Sequence, residues 1–191
     1  MSYDYSENIL VQESVGHLLA DELGWQVELA YNQEVLGANG TFGRSSYKDI
    51  LLVRYFHKAL RTLNPWITDD QVIEAQNTFE KHLSSASLMQ INEEKYAYIR
   101  DGIPVTEKKP NGQTEEKRAM IIDFQHPNDM ERNHFLAVKE MKIYGDLYRR
   151  RTDIVGFVNG IPLLFIELKK NSVDVQNAYT DNYTDYLDTI P

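Results

Sequence analysis

The segment from residue 153 to residue 169 constrains the fold of this chain more than any other. It opens with Asp153, reaches a turn sequence at Asn159-Gly160, and ends in Glu167-Leu168-Lys169. Side chains two positions apart on a strand point to the same face, so Glu167 and Lys169 lie on one face. Charged groups on an otherwise apolar strand are costly unless they are paired or bound to a ligand. The segment therefore predicts a β-hairpin that carries charged groups on one face.

The register of this hairpin decides whether its charged residues can meet. A two-residue turn at Asn159-Gly160 with an unbroken ladder would pair Asp153 with Ile166 and turn Asp153 away from Glu167. A three-residue loop with a bulge, or a wider loop, would restore the shared face. We therefore predict an odd-length loop or a bulge in this hairpin, with Gly160 at positive φ.

The rest of the sequence shows helical and strand patterns in turn. A capping box at Thr68 and Gln71 begins one helix, and Asn111-Gly112 predicts a hairpin with a long tip over 107–117. The predicted helices are 6–24, 46–63, 68–83 and 173–187, and the predicted strands are 25–29, 103–106, 119–124, 135–143, 153–158 and 162–168.

These elements predict a single α/β domain over residues 1–191. Its central mixed β-sheet would be flanked by the first and last helices, with residues 46–101 as a helical elaboration at one edge. The sequence stops just after the last predicted helix, so we expect the domain to be a fragment of a larger protein.

Composition excludes several classes of function. The net charge of −9 argues against a tight, non-specific DNA binder, but not against an enzyme whose carboxylates surround a divalent cation. The absence of cysteine excludes disulfides and thiolate metal sites and suits a reducing cytoplasm. The five histidines have no zinc-ligand spacing, and no phosphate-binding Gly-x-x-x-x-Gly-Lys-Ser/Thr loop occurs, so we expect no ATP binding by these residues.

The charged residues of the hairpin suit phosphodiester hydrolysis. Mg²⁺ takes oxygen ligands and keeps several waters, so two carboxylates and a phosphate oxygen suffice to hold it. We predict that Asp153 and Glu167 are metal ligands and that Lys169 orients the attacking water. By spacing alone, the same residues could equally form a cross-strand ion pair on an exposed face.

The hairpin also resembles a known family. Asp153 to Lys169 is similar to the hairpin of PD-(D/E)xK nucleases. The words Val158-Asn159-Gly160-Ile161-Pro162-Leu163 and Glu167-Leu168-Lys169 resemble the N-terminal nuclease domain of the restriction (motor) subunit of type I restriction-modification enzymes. Three upstream words extend the resemblance over most of the chain: Asn64-Pro65, Ile122-Asp123-Phe124 and Asn133-His134-Phe135.

The resemblance implies a restriction-endonuclease-like core and a Mg²⁺-dependent, cytoplasmic endonuclease that cleaves double-stranded DNA. It implies the activity of a type I site-specific deoxyribonuclease, within a larger multidomain subunit. The partners would be methylation and specificity subunits, reached through the full-length protein. ATP would be used by motor domains outside these residues.

The sequence departs from the family pattern at two places. Thr152 stands where the family has a proline, which shapes the backbone without binding metal. The family's Gln-x-x-x-Tyr pair is best matched by Asn182 and Tyr186, with the Gln shortened to Asn. Gln176 is the competing match, but it lacks the tyrosine four residues later.

The resemblance also implies an acidic residue from the first helix. Glu13 is the candidate metal ligand, and Glu7 is the alternative. The run Arg149 to Arg151 leads directly into the hairpin and could be only a solvated basic patch. We expect one or more of these residues to contact DNA phosphates, with Arg150 and Arg151 as the candidates. Asn182 and Tyr186 are the other candidate DNA contacts.

Two other functions fit the same residues. One is a PD-(D/E)xK nuclease of another DNA-processing system, such as a resolvase or a repair nuclease. Helicase motifs directly after Pro191 in the parent gene would exclude it. The other is a degenerate nuclease fold that binds DNA or partner subunits without cutting, and the intact Asp153, Glu167 and Lys169 argue against that.

Overall fold

The computed structural model describes residues 7–81, 87–145 and 148–168, together with Gln176 and Tyr179. Apart from those two residues, the helix predicted at 173–187 lies outside the described residues. The chain divides into two compact units, of which the first comprises Met1–Leu52 with Phe135–Pro191 and the second comprises Val53–His134.

After the first helical segment and the first strand, the described chain forms three helices and then seven strands. In chain order they are α1 (Glu7–His17), a π-helical turn (Leu18–Glu22), β1 (Gln26–Leu29), α2 (Val53–Leu63), α3 (Asp69–Glu80), α4 (Leu88–Asp101), β2 (Ile103–Lys108), β3 (Thr114–Ala119), β4 (Phe135–Lys139), β5 (Lys142–Tyr144), β6 (Arg149–Arg151), β7 (Ile154–Val158) and β8 (Ile161–Ile166).

The first unit contains a four-stranded sheet in the order β1-β4-β7-β8. β1 runs parallel to β4, while β4 pairs with β7 and β7 with β8 in antiparallel fashion. The prediction of an α/β fold with a central mixed sheet is therefore confirmed.

The first helical segment packs on one face of this sheet. Leu19, in the π-helical turn, is buried against Ala137 and Ile154. Partly buried apolar side chains surround these three residues: Val15, Trp25, Val27, Ile166 and Leu168. Burial of this apolar stripe fixes which face of the sheet lies under α1.

The strand predicted at 135–143 is broken in two. Glu140 has a φ of 53°, and its N–H donates to the carbonyl of Asp153 at 2.8 Å. The chain bends there, so β4 stays in the main sheet and β5 pairs with β6 in a separate two-stranded sheet.

The helix predicted at 46–63 begins only at Val53. Upstream of it, the Asp49 carboxylate accepts hydrogen bonds from the N–H groups of Ser45 and Ser46, at 2.8 and 3.1 Å. A carboxylate that bonds to nearby backbone N–H groups favours a turn over a helix, so these residues form a loop.

The second unit joins three helices to a hairpin. The predicted capping box at Thr68 and Gln71 is present at the start of α3. Phe56 of α2 packs on Phe79 of α3, with ring centroids 5.3 Å apart. The unit spans Val53–His134 and so extends beyond the helical elaboration predicted at 46–101.

The hairpin of the second unit has a shorter tip than predicted. Lys108 pairs with Thr114, so the tip comprises 109–113, and the strand predicted at 119–124 ends at Ala119. Cross-strand ion pairs, such as Lys117 with Glu107 at 3.6 Å, support polar strands that hydropathy does not reveal.

Among the described residues, no helix has both the length and the apolar character needed to cross a membrane.

Candidate active site

The turn between β7 and β8 contains two residues. Val158 pairs with Ile161, and the two residues between them both have positive φ, 53° at Asn159 and 82° at Gly160. This is the conformation that Asn-Gly favours between antiparallel strands. The prediction of positive φ at Gly160 is confirmed, whereas the odd-length loop is not formed.

The register of β7 and β8 shifts one step away from the turn. Phe157 pairs with Pro162, but Gly156 pairs with Leu164, so Leu163 is an extra residue on β8. An extra residue on one strand reverses the facing of everything beyond it. The predicted bulge is therefore present, and it compensates for the two-residue turn.

The bulge brings Asp153 and Glu167 to matching positions. Ile154 pairs with Ile166, so the next step beyond the ladder places Asp153 opposite Glu167. Asp153 Oδ2 accepts a hydrogen bond from the N–H of Leu168 at 2.7 Å. Both carboxylates belong to half-buried residues, and Glu167 Oε2 is itself buried.

The backbone of Asp153 is held from two sides. Its carbonyl accepts the N–H of Glu140 at 2.8 Å and the side-chain amide of Gln12 at 3.3 Å. The preceding Thr152 is buried, and both its N–H and its hydroxyl donate to the carbonyl of Met141, at 3.0 and 3.3 Å. Thr152 thus ties the chain to Met141, the residue just before β5.

Glu13 forms an ion pair with a buried lysine. Glu13 Oε1 lies 2.6 Å from Nζ of Lys139, the last residue of β4. Lys139 is 8% exposed and pairs with Ile154, the neighbour of Asp153 in sequence. Lys139 passes close to Gly16, where an added Cβ would lie in ordinary van der Waals contact, 3.6 Å, with the Lys139 Cδ.

Sequence reasoning did not identify Lys139. A lysine at the end of the apolar strand Phe135–Lys139 was the available signal. The side chain of Glu7, the alternative to Glu13, is outside the described residues, as are Lys169, Asn182 and Tyr186.

The two arginines predicted to contact DNA lie on opposite faces of the sheet formed by β5 and β6. Arg151 pairs with Lys142, and Arg150 pairs with Ile143. Directly opposed residues of an antiparallel pair share a face, and successive residues alternate. Arg151 therefore shares a face with Lys142, and Arg150 shares the other with the buried Ile143.

Two short upstream sequences of the resemblance, Asn64-Pro65 and Asn133-His134-Phe135, each supply an asparagine that hydrogen-bonds to the backbone of the second unit. Asn64 is 2% exposed, and its side chain bonds to the carbonyl of Leu60 and to both the N–H and the carbonyl of Met120, each at 2.8 Å. Asn133 is 1% exposed and bonds in the same way to the N–H and carbonyl of Asp123, at 2.9 and 2.8 Å. Both asparagines are thus part of the framework.

Asp123 is a structural acid. Its carboxylate accepts hydrogen bonds from Arg132 Nε and from the N–H groups of Gln125 and His126, the last two at 2.9 and 3.1 Å. The Arg132 guanidinium, helped by the bonds from His126 and Gln125, holds the pKa of Asp123 far below its usual range.

The carboxylates of β7 and β8 fit a hard divalent cation. Asp153 and Glu167 supply oxygen ligands from adjacent strands, and Mg²⁺ commonly uses one or two carboxylates with water and substrate oxygens. Within the described ranges, no three histidine or acidic side chains come together as a metal-holding group. The oxygen donors at this hairpin end are therefore a pair of carboxylates.

Comparison with known proteins gives consistent results. The model of the family described as type I restriction enzyme R protein N terminus matches residues 4–191. The chain is 30% identical over 189 residues to the type I restriction enzyme HindI endonuclease subunit of Haemophilus influenzae, covering 97% of this chain and 17% of that protein. It is 29% identical over 150 residues to the putative type I restriction enzyme MjaIXP endonuclease subunit of Methanocaldococcus jannaschii, covering 76% of this chain and 14% of that protein. No solved structure matches the chain.

Proposed function

This chain belongs to the family of type I restriction enzyme R protein N termini, and from that premise we propose that it is the endonuclease domain of such a subunit. The reaction proposed is Mg²⁺-dependent hydrolysis of phosphodiester bonds in double-stranded DNA. The chain spans about one sixth of the curated relatives it matches, so the activity of the whole enzyme is part of the proposal.

One observation carries this proposal: the bulge shifts the register so that Ile154 pairs with Ile166, and continuing that register would bring Asp153 opposite Glu167. With the same two-residue turn and no bulge, the two carboxylates would point to opposite faces.

Asp153 and Glu167 are the residues that would hold the cation. When bound, Mg²⁺ supplies Lewis-acid polarisation of the phosphate and lowers the pKa of a bound water. The N–H of Leu168 fixes Oδ2 of Asp153 and thereby orients the other carboxylate oxygen. The burial of Glu167 Oε2 withdraws that oxygen from water, which makes a cationic partner more favourable.

Other roles are proposed from the family pattern. Lys169 would orient the attacking water, and Glu13 would add a third carboxylate. The ion pair with Lys139 anchors Glu13 at the end of β4, the strand beside β7.

Substrate and partner contacts are proposed on the same basis. Arg150, Arg151, Asn182 and Tyr186 would contact DNA. Methylation and specificity subunits would bind the full-length subunit, and ATP would be hydrolysed by its motor domains.

The test uses the full-length subunit assembled with its partner subunits. We expect Asp153→Asn, Glu167→Gln and Lys169→Ala each to abolish DNA cleavage, while ATP hydrolysis continues because the motor lies elsewhere. Glu93→Gln, at an exposed position of α4, is the control and should cleave normally. Cleavage at the wild-type rate by Asp153→Asn or Glu167→Gln would contradict the proposal.

A further inference from the structure

The two-stranded sheet formed by β5 and β6 presents cations and tyrosines on one face. Lys142 pairs with Arg151 and Tyr144 pairs with Arg149, so these four residues point the same way. Two further tyrosines from the loops after β1 complete the group. We call it the cation–tyrosine face, and it comprises Lys142, Arg149, Arg151, Tyr31, Tyr47 and Tyr144.

Each cation of this face lies over an aromatic ring. The Arg151 guanidinium is 4.5 Å from the ring centroid of Tyr31, and that of Arg149 is 5.0 Å from the ring of Tyr144. Lys142 Nζ lies 5.6 Å from the Tyr31 ring and 5.7 Å from the Tyr47 ring.

The tyrosines also support one another. The rings of Tyr47 and Tyr144 have centroids 4.8 Å apart. Cations packed over rings within about 6 Å are attracted to the aromatic face and lose freedom in their stems. The three cations are therefore ordered before any ligand arrives, which lowers the entropic cost of binding an anion.

The charge on this face is opposite to that of the chain. Among the described residues of this face are three cations, and one of them, Arg151, lies 3.2 Å from the carboxylate of Glu140. The nearby Arg44 also packs over Tyr47, but it is buried in an ion pair with Glu34. In a chain of net charge −9, a cluster of exposed or half-exposed cations on one face gives a local positive potential that attracts an anion.

We propose that the cation–tyrosine face binds the DNA backbone at the phosphates next to the scissile one. This inference rests on the proposed nuclease function, because it uses the position of Asp153 as the cutting site. Arg151 precedes Asp153 by two residues, and an extended chain advances about 3.3 Å per residue, so their Cα atoms lie within roughly 7 Å. Contacts at this distance would hold the strand in place beside the carboxylates.

The proposal separates Arg150 from Arg151. The sequence treats these adjacent arginines alike, but Arg150 points to the face of Ile143. The proposal adds Lys142 and Arg149 to Arg151 as phosphate contacts, and it expects Arg150 to contribute less than any of the three.

The experiment measures binding of the 191-residue chain to two duplexes of unrelated sequence by fluorescence anisotropy, over a range of salt and without divalent metal. We expect Lys142→Ala, Arg149→Ala and Arg151→Ala each to weaken binding roughly 3- to 10-fold on both duplexes and to lower the salt slope by about 1. Arg151→Lys keeps the charge and should recover most of the affinity. Arg61→Ala, an exposed arginine of α2, removes one charge elsewhere and should change affinity less than about twofold.

Several outcomes would overturn the proposal. One is wild-type affinity and salt slope in the triple variant that combines Lys142→Ala, Arg149→Ala and Arg151→Ala. The others are a loss of affinity in Arg61→Ala equal to that of the single variants, and a loss in Arg150→Ala as large as that in Arg151→Ala. A melting temperature measured for each variant separates lost contacts from lost folding.

The two proposals fail separately. If Asp153→Asn abolishes cleavage while the triple variant binds DNA normally, the face is wrong and the nuclease stands. If the triple variant loses binding while Asp153→Asn still cleaves, the nuclease assignment is wrong, and the premise that places the face beside a cutting site falls with it.

Discussion

In the unit formed by Val53–His134, buried polar side chains bond to backbone groups. In the unit that contains the four-stranded sheet, two carboxylate residues lie just outside the paired ends of β7 and β8. Asn64 and Asn133 each bridge the N–H and the carbonyl of one residue in a loop. Asp153 and Glu167 instead directly flank the last ladder pair, Ile154 with Ile166, and their carboxylate oxygens suit a cation. The same resemblance therefore covers residues of two kinds: framework residues in one unit and the residues proposed to do the chemistry in the other.

The largest expected effect tests the chemical role. Glu167→Gln removes the charge of a carboxylate with a buried oxygen but keeps its shape. We expect DNA cleavage by the assembled enzyme to fall about 10³-fold, because a metal ligand contributes several kcal/mol to the transition state. The free energy of unfolding measured in urea without metal should be unchanged or higher, since burying a charge opposes folding.

Asp153→Asn should behave in the same way, because Asn retains an acceptor for the N–H of Leu168. A loss in the free energy of unfolding in either variant as large as that expected for a framework residue would contradict this difference between the two units. It would mean that the carboxylates also belong to the framework.

The next effect tests the framework role. Asn133→Ala leaves the N–H and carbonyl of Asp123 without their side-chain partner in a buried place. A buried backbone group left unsatisfied costs about 1–3 kcal/mol, so we expect a loss of roughly 2–5 kcal/mol in the free energy of unfolding. Urea denaturation followed by circular dichroism measures it.

Asn111→Ala is the matched control in the same unit. Asn111 also bonds locally, to Gln113 at 2.9 and 3.0 Å, but it is exposed at the hairpin tip, where water replaces the lost bonds. We expect a loss below about 1 kcal/mol. Equal losses in the two variants would show that burial does not set the cost.

A smaller effect tests the packing that supports the bulge. At Gly156 an added Cβ would lie 2.8 Å from Trp25 Cζ3 and 2.9 Å from Leu164 Cβ. Gly156→Ala should therefore cost about 1–3 kcal/mol by overpacking, and it should also slow cleavage because the register shifts at this step.

Gly112→Ala separates steric cost from backbone cost. Gly112 has a φ of 82° and nothing within 4 Å of an added Cβ, so the substitution strains only the backbone, by about 1 kcal/mol. If Gly156→Ala proves milder than Gly112→Ala, the packing around the bulge is looser than the structure indicates.

The sequence predicted local features well, such as the capping box at Thr68 and the positive φ at Gly160. Counting residues along the two strands of the hairpin also led us to expect Asp153 and Glu167 on one face. It did not locate the bulge, because an odd-length loop and a two-residue turn with an extra residue give the same facing. The bulge falls at Leu163, beside the close approach of Gly156 to Trp25 and Leu164, and no turn signal records that packing.

Long-range pairs were beyond the sequence. Glu13 and Lys139 are 126 residues apart, and no local pattern predicts that a helix residue meets the end of a later strand. The opposite facing of Arg150 and Arg151 was missed for a related reason. The break at Glu140 was not foreseen, so β5 and β6 were not recognised as a separate pair of strands.

The smallest expected effect concerns the acid response of the second unit. His134 stacks on Tyr55, with ring centroids 4.7 Å apart, and burial, with a contribution from the charge of Lys58, lowers its pKa. A histidine whose folded pKa is lowered binds fewer protons in the folded state, so stability falls as the pH drops below the unfolded value of about 6.5. His134→Gln should flatten the pH dependence of the urea midpoint below about pH 6.5. Lys58→Ala should flatten it partly, since the pKa of His134 would rise toward its usual value. Asp123 acts in a separate window, because its lowered pKa stabilises the fold above the usual aspartate value of about 3.9 and that contribution is lost as the pH falls below it. Asp123→Asn should therefore change the curve below about pH 4 and leave the His134 window intact. If both substitutions altered the same pH range, the two groups would be coupled, and the framework of this unit would respond to acid as one cluster.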